Sequence, residues 1–146
     1  MKIVFGCDPN AESFKKELME YTASLGHEVV DFGSDDPIYA NVAFRVATSL
    51  ANKEYDRGIL LCGTGIGVSI AANKVKGAYA ACVHDVYQAQ RAALSNNANI
   101  ITMGAQVIGI ELAKCIVKEY LSQTYSENSR SHVKVQRIVD FENSGK

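Results

Sequence analysis

The chain has 146 residues, a formal net charge of -1, 47% apolar residues and 21% charged residues. That length supports one substantial core. The charge balance offers nothing to a nucleic-acid backbone, and no apolar run approaches the ~20 residues of a membrane span.

Met1 to Phe5 runs directly into a strand-like segment, so a secretory leader is not expected and a cytoplasmic location is. The 4 cysteines, at positions 7, 62, 82 and 115, show no metal spacing and read as free thiols. The 3 histidines, at 27, 84 and 132, are too scattered to hold a metal, so neither metal nor cofactor is expected. Lys2 to Cys7 is a short apolar strand. Asp8 follows it, either as a helix N-cap or as a group facing a ligand crevice. Ala11 to Leu25 has apolar residues at helical spacing, and Gly26 stops that helix. His27 to Phe32 is the second strand. Pro37 is placed to open the next helix, which reads over Ala40 to Lys53. Tyr39, near its start, either leans into the crevice or packs at the helix end.

Gly58 to Leu61 is the third strand. Gly77 to Val83 is the fourth, closed by His84-Asp85, with Asp85 able to cap a helix from Val86 to Leu94. A polar turn, Ser95 to Asn99, precedes the fifth strand, Ile100 to Met103, and Ile108 to Leu121 is an amphipathic helix. Beyond Ser122 the chain turns polar and basic. Arg130, Lys134 and Arg137 lie at helical spacing there, either on a solvated terminal helix or in a phosphate clamp reaching a neighbouring subunit. The repeated strand–helix alternation predicts an α/β fold: one domain over 1–146, doubly wound and Rossmann-like, with a five-stranded parallel sheet, helices on both faces and a C-terminal tail over 121–146. Residue 8 and the segments 62–69 and 95–99 are expected to converge at one end of this sheet.

The stretch between the third strand and the following helix carries the chemistry. Cys62-Gly63-Thr64-Gly65-Ile66-Gly67-Val68-Ser69 packs a strand end, a glycine turn and a helix start together, and Ile70 to Lys74 reads as helix. Glycines let main-chain amides approach a ligand, and a helix start adds unpaired N–H groups and a positive dipole end. The turn suits an anion or a developing oxyanion. Its spacing is neither the dinucleotide fingerprint nor a P-loop, which speaks against nucleotide binding. Cys62 is either plain core or a reactive thiol, and neighbouring amides favour the thiolate.

Gly6-Cys7-Asp8, the run from Cys62 to Gly67 and Ser69-Ile70-Ala71-Ala72-Asn73-Lys74 resemble the ribose-5-phosphate isomerase type B family, which includes the two galactose-6-phosphate isomerase subunits. The likeness extends over nearly the whole chain. It implies a metal-free, cofactor-free aldose–ketose isomerase acting on a small phosphorylated sugar through a cis-enediolate. It also implies a homodimer or higher homo-oligomer with shared sites. By this resemblance Cys62 is the base between C1 and C2, and Thr64 helps open the ring or holds hydroxyls. Asp8 binds hydroxyls, and the amides of residues 63–69, including Gly63, Gly65, Ile66, Gly67 and Ser69, hold the enediolate oxygen. Asn96, beside Ser95, reaches over from the partner subunit with Arg130 and Lys134 on the phosphate.

Four positions depart from the family pattern. Pro9 stands where a histidine usually follows the aspartate. Ser95 stands where the ring-opening histidine is expected, Gln106 where an arginine is, and Lys134 where a second tail arginine is, which keeps charge but loses the bidentate fork. Three accounts follow. The first is a ribose 5-phosphate/ribulose 5-phosphate type isomerase whose ring opening falls to Thr64, Asp8 or water, or a related enzyme whose substrate, such as a tetrose 4-phosphate, needs none. The second is the cysteine-bearing subunit of a heteromeric galactose-6-phosphate isomerase, paired with a histidine-bearing paralogue; Asp31-Phe32-Gly33 and Pro37-Ile38-Tyr39 add a likeness there. The third is a non-catalytic sugar-phosphate binding protein, which the retained Cys62 and Thr64 disfavour.

Overall fold

Each predicted strand carries side chains that are apolar toward both faces, and this makes the sheet the middle of the molecule. The computed structural model describes residues 1–145. In chain order the elements are β1 (Lys2–Cys7), α1 (Glu12–Ser24), β2 (Glu28–Asp31), α2 (Tyr39–Ala51), β3 (Arg57–Cys62), α3 (Ile66–Ala72), β4 (Ala80–Cys82), α4 (Val86–Leu94), β5 (Ile100–Gly104), α5 (Ile110–Ser122) and α6 (His132–Ser144). All strand pairs are parallel, in the order β2-β1-β3-β5-β4. Alternate strand residues point to opposite faces. Ile3, Phe5, Ile59, Leu61, Ile101 and Met103 pack with α1, α4 and α5, while Val4, Leu60, Cys62 and Ile100 pack with α2 and α3. The doubly wound α/β fold expected from the alternation is the one observed. No helix among the described residues is long and apolar enough to cross a membrane.

Local chemistry sets the element ends. Gly26 adopts φ +89° and stops α1, a conformation glycine takes without a Cβ penalty. Asp85 accepts from the N–H of Gln88 at 2.7 Å and caps α4 as expected. Three expectations need correcting. Pro37 does not open α2, because the Asp36 carboxylate accepts from the N–H of Ile38 at 2.8 Å, and this turn delays the helix to Tyr39. That bond and one from Asn41 hold the exposed Asp36 carboxyl below its ordinary range. The fourth strand is only Ala80–Cys82: the N–H groups of Tyr79, just before it, and of Ala80, its first residue, go to the side chains of Asn99 and Asn73 at 2.8 and 2.9 Å instead of a strand neighbour. The third helix begins at Ile66, inside the glycine turn rather than after it.

The placement of the polar turn Ser95–Asn99 also differs. It leads from α4 into β5 and so lies at the amino ends of the strands. The N–H of Gly58, at the start of β3, donates to the Asn99 carbonyl at 2.8 Å, whereas Cys62 is the last residue of β3 and pairs with Gly104. The strand length between them is about 13 Å at ~3.3 Å per residue. Within one chain, segment 95–99 therefore does not converge with Asp8 and the glycine turn.

The turn itself is locked onto β5. A β-carbon on Gly104 would stand 2.6 Å from the Thr64 carbonyl carbon, and one on Gly65, at φ +78°, would stand 2.7 Å from the carbonyl carbon of Met103. The buried Thr102 hydroxyl donates to the Gly65 carbonyl at 2.8 Å. Helix α6, by contrast, has no buried residue. Its Glu142 carboxylate accepts from the Tyr79 hydroxyl at 2.7 Å and from the Gly77 N–H at 3.2 Å, which tethers the helix to the sheet.

Two outcomes follow from these contacts. Gly104→Ala forces the turn away from β5; thermal melting is expected to show a loss of about 2 kcal/mol or more, in the range of overpacked sites, together with a large fall in any activity that uses Cys62. Burial and Glu142 push the Tyr79 hydroxyl up from 10.0 to about 12. Folding therefore favours the neutral phenol, and this contribution is complete below pH 10 and lost as pH rises through about 12. Tyr79→Phe is expected to lower stability at pH 7 by about 1 kcal/mol and to flatten the decline between pH 10 and 12, as read by urea unfolding across pH.

Candidate functional site

The strand order reverses between β1 and β3: the chain leaves β1 toward β2 on one side, then crosses back to start β3 on the other. The carboxyl ends of two strands at such a reversal flank a crevice. Cys7 of β1 pairs with Leu61 of β3, so Asp8 and Cys62 are neighbours at the rim, with Gly104 of β5 next in the row. The Asp8 carboxylate is 7% exposed and accepts from the N–H of Asn10 at 3.1 Å, which closes the short 3-10 turn Pro9–Ala11.

Cys62 is 5% exposed, and its Sγ accepts from the N–H of Gly65 at 3.1 Å. Such a bond strengthens when the sulfur carries charge. Cys7, on the neighbouring strand, points to the opposite core. Burial pushes its thiol up to about 12, with nearby carboxylates adding to the effect and Lys15 opposing it, so it stays protonated. Thr64 is exposed, and its Oγ1 accepts from the N–H of Ile66 at 3.3 Å. Two N–H groups of the 63–69 set are thereby engaged within the turn itself, by Cys62 and by Thr64. The Ser69 hydroxyl donates to the Ala80 carbonyl at 3.4 Å, which directs it toward β4 rather than toward the turn. The Ile66 side chain is exposed to solvent.

Two side chains cover the turn. The ring of Tyr39 lies against Gly67, its Cζ 2.5 Å from where a β-carbon would stand, and the Gln106 carboxamide oxygen is 3.1 Å from the corresponding point on Gly63. Glycine at 67 thus makes room for an aromatic ring, and Tyr39 reaches the turn as one of its two expectations held.

The predicted cations assemble elsewhere. Arg130 and Lys134 line a cavity of about 460 Å³ together with Ser95 and two residues of α4, Tyr87 and Arg91. Neither Cys62 nor Asp8 is among its walls. Asn96 adjoins it, its Nδ2 donating to the Arg91 carbonyl at 3.3 Å. The structure thus brings Asp8, Tyr39, Cys62, Gly63, Thr64, Gly65, Ile66 and Gly67 together in one place, and Ser95, Asn96, Arg130 and Lys134 in another. Arg91 and Thr102 do not appear in the sequence-based set. The spacing from Arg91 to Ser95, four residues on a predicted helix, is the signal that points to the first. Nothing local marks Thr102, whose hydroxyl works across 37 residues of sequence.

The fold agrees with comparisons to known proteins. The Ribose/Galactose Isomerase family profile matches residues 3–138. D-erythrulose-4-phosphate isomerase 2 of Mycolicibacterium smegmatis is 43% identical over 148 residues, spanning 97% of each protein. Ribose-5-P isomerase B of Listeria innocua is 43% identical over 145 residues, also spanning 97% of each. The solved structure of Clostridium thermocellum ribose-5-phosphate isomerase B superposes with a TM-score of 0.93 at 36% identity, covering 100% of both chains. With the cysteine-glycine turn, the parallel sheet and these matches in hand, the chain belongs to the ribose/galactose isomerase family of sugar-phosphate isomerases.

Proposed function

We propose that this aldose–ketose isomerase works with Cys62 as its base, in sites shared between two copies of a cytoplasmic dimer. The observation that carries the reading is the Cys62 sulfur held under the Gly65 N–H within a glycine turn at the carboxyl ends of β1, β3 and β5. In the open-chain aldose phosphate the thiolate takes the proton from C2. The C–H electron pair becomes the C1–C2 double bond, and the carbonyl oxygen at C1 becomes the enediolate oxygen. Main-chain N–H groups of the turn donate to that oxygen, a kind of contact worth roughly 3–4 kcal/mol per donor where it is preorganised. Return of the proton from the Cys62 thiol to C1, with transfer of the O2 proton to O1 so that the C2–O2 bond becomes the carbonyl, gives the ketose. Asp8 and Thr64 hold sugar hydroxyls, and Tyr39 walls the crevice.

A phosphate needs cations, and those of Arg130 and Lys134 lie in a cavity that excludes Cys62. Pairing two chains so that the cation cavity of one, with Ser95 and Asn96, faces the turn of the other completes the site. The tail helix α6 suits this role, since Val133, Ile138 and Phe141 are all more than half exposed.

The substrate is of the ribose 5-phosphate/ribulose 5-phosphate type. Ser95 favours a second reading. Its side chain has no group that titrates near neutral pH, so it supplies no acid for ring opening. A four-carbon 4-phosphate has O4 esterified, cannot close a furanose ring and requires no such acid.

The test is solvent deuterium exchange into C1 and C2 of four-, five- and six-carbon sugar phosphates. Cys62→Ala is expected to cut exchange by about 10²-fold or more, the usual worth of a positioned base, with the fold intact by circular dichroism. Exchange that survives this substitution removes Cys62 from the mechanism. Ser95→His is expected to raise turnover of ring-closed pentose phosphates while leaving acyclic tetrose phosphates behind; equal responses of both classes overturn the account of Ser95.

A further inference from the structure

The cation cavity has a wall on α4 as well as on α6. Arg91 belongs to that wall, and its Nε–H donates to the Ser95 hydroxyl at 2.8 Å. The two residues are one helical turn apart, with Ser95 at the C-cap of α4, so the bond spans the spacing at which helix side chains meet. A guanidinium has five N–H donors in a fixed fork. The bond to Ser95 uses the Nε edge, sets the plane of the fork and leaves the terminal nitrogens for other acceptors.

Among the described residues no carboxylate pairs with this charge. Among the described residues the ion pairs are Lys15 with Asp31, and Lys114 with Glu17 and Glu111. Arg91, Arg130 and Lys134 thus line one cavity of about 460 Å³ without a carboxylate partner. Cations gathered around one concavity focus a positive potential, and a tetrahedral dianion is the group that meets several of them at once.

We propose that Arg91 is a third anion ligand of this cavity and that Ser95 is its positioning residue, so that the phosphate of the substrate is gripped from α4 as well as α6. This rests on the reading of the cavity as the phosphate site. In this arrangement the serine at position 95 contributes to binding rather than to proton transfer, and it does so only through Arg91.

The experiment titrates the full chain with inorganic phosphate by calorimetry, and measures KM and kcat on the sugar phosphate found most active. Arg91→Met is expected to weaken phosphate binding on the order of tenfold or more, as for loss of a charged hydrogen-bonding partner, and to raise KM similarly with kcat changed by no more than about threefold. Arg91→Lys, which keeps the charge but neither the fork nor the Nε bond, recovers part of the loss and serves if the methionine variant folds poorly. Ser95→Ala weakens phosphate by about threefold, and Ser95→Thr restores it. The double variant Arg91→Met/Ser95→Ala binds no more weakly than Arg91→Met alone, because Ser95 acts through Arg91.

Phosphate binding by Arg91→Met within twofold of the original chain, while Arg130→Met loses it, overturns the proposal and leaves the cavity as the phosphate site. An equal effect of Ser95→Ala with and without Arg91 overturns the positioning role. If neither Arg91→Met nor Arg130→Met alters phosphate binding although exchange still depends on Cys62, the cavity is not the phosphate site and both readings of it fall.

Discussion

The main chain of the glycine turn touches the main chain of β5, and the reactive end of the molecule depends on that contact. Gly104 lies against Thr64 and Gly65 lies over Met103, each too close for a β-carbon, while the Thr102 hydroxyl holds the Gly65 carbonyl from below. These contacts fix Gly65 in its left-handed conformation, and that conformation aims its N–H at the Cys62 sulfur. The glycine turn is therefore positioned by a buried strand. An N–H held in this way donates to the sulfur without reorganising, as a preorganised donor does.

The separation of the sulfur from the cations follows from the topology. Loops that leave strands collect at one end of a parallel sheet, and loops that enter strands collect at the other. Cys62 belongs to the first group and Ser95 to the second. In the proposed dimer, proton transfer and phosphate recognition thus come from different chains. Helix α6 is bonded next to its own sheet through the Glu142 carboxylate, and its Val133, Ile138 and Phe141 side chains stay more than half exposed.

Much of this was legible in the residues. The central strands β1, β3 and β5 are buried on both faces and read as apolar runs, and Gly26 and Asp85 mark helix ends for stated physical reasons, so the doubly wound sheet follows from pattern alone. The short β4 was not legible, because the side chains of Asn73 and Asn99 take over bonds that a ladder would otherwise make. The Ser95–Asn99 turn lies at the opposite end of the sheet from the one its composition suggests. Its polar composition suggests a site, but its position between a helix and a strand puts it where chains enter the sheet. Cys62 and its glycines were readable from their spacing. Arg91 was not, since an arginine on an amphipathic helix looks like any solvated charge until its hydroxyl partner one turn later is noticed.

The Arg91–Ser95 pair has an evolutionary consequence. Both residues sit on a single turn of α4, remote from the β5 contacts that hold the sulfur. On the proposed reading, drift in this one short stretch alters the grip on phosphate while the glycine turn stays untouched. Because the hydroxyl partner lies one helical turn from the guanidinium, exchanges confined to positions 91 and 95 leave the contacts between the glycine turn and β5 in place.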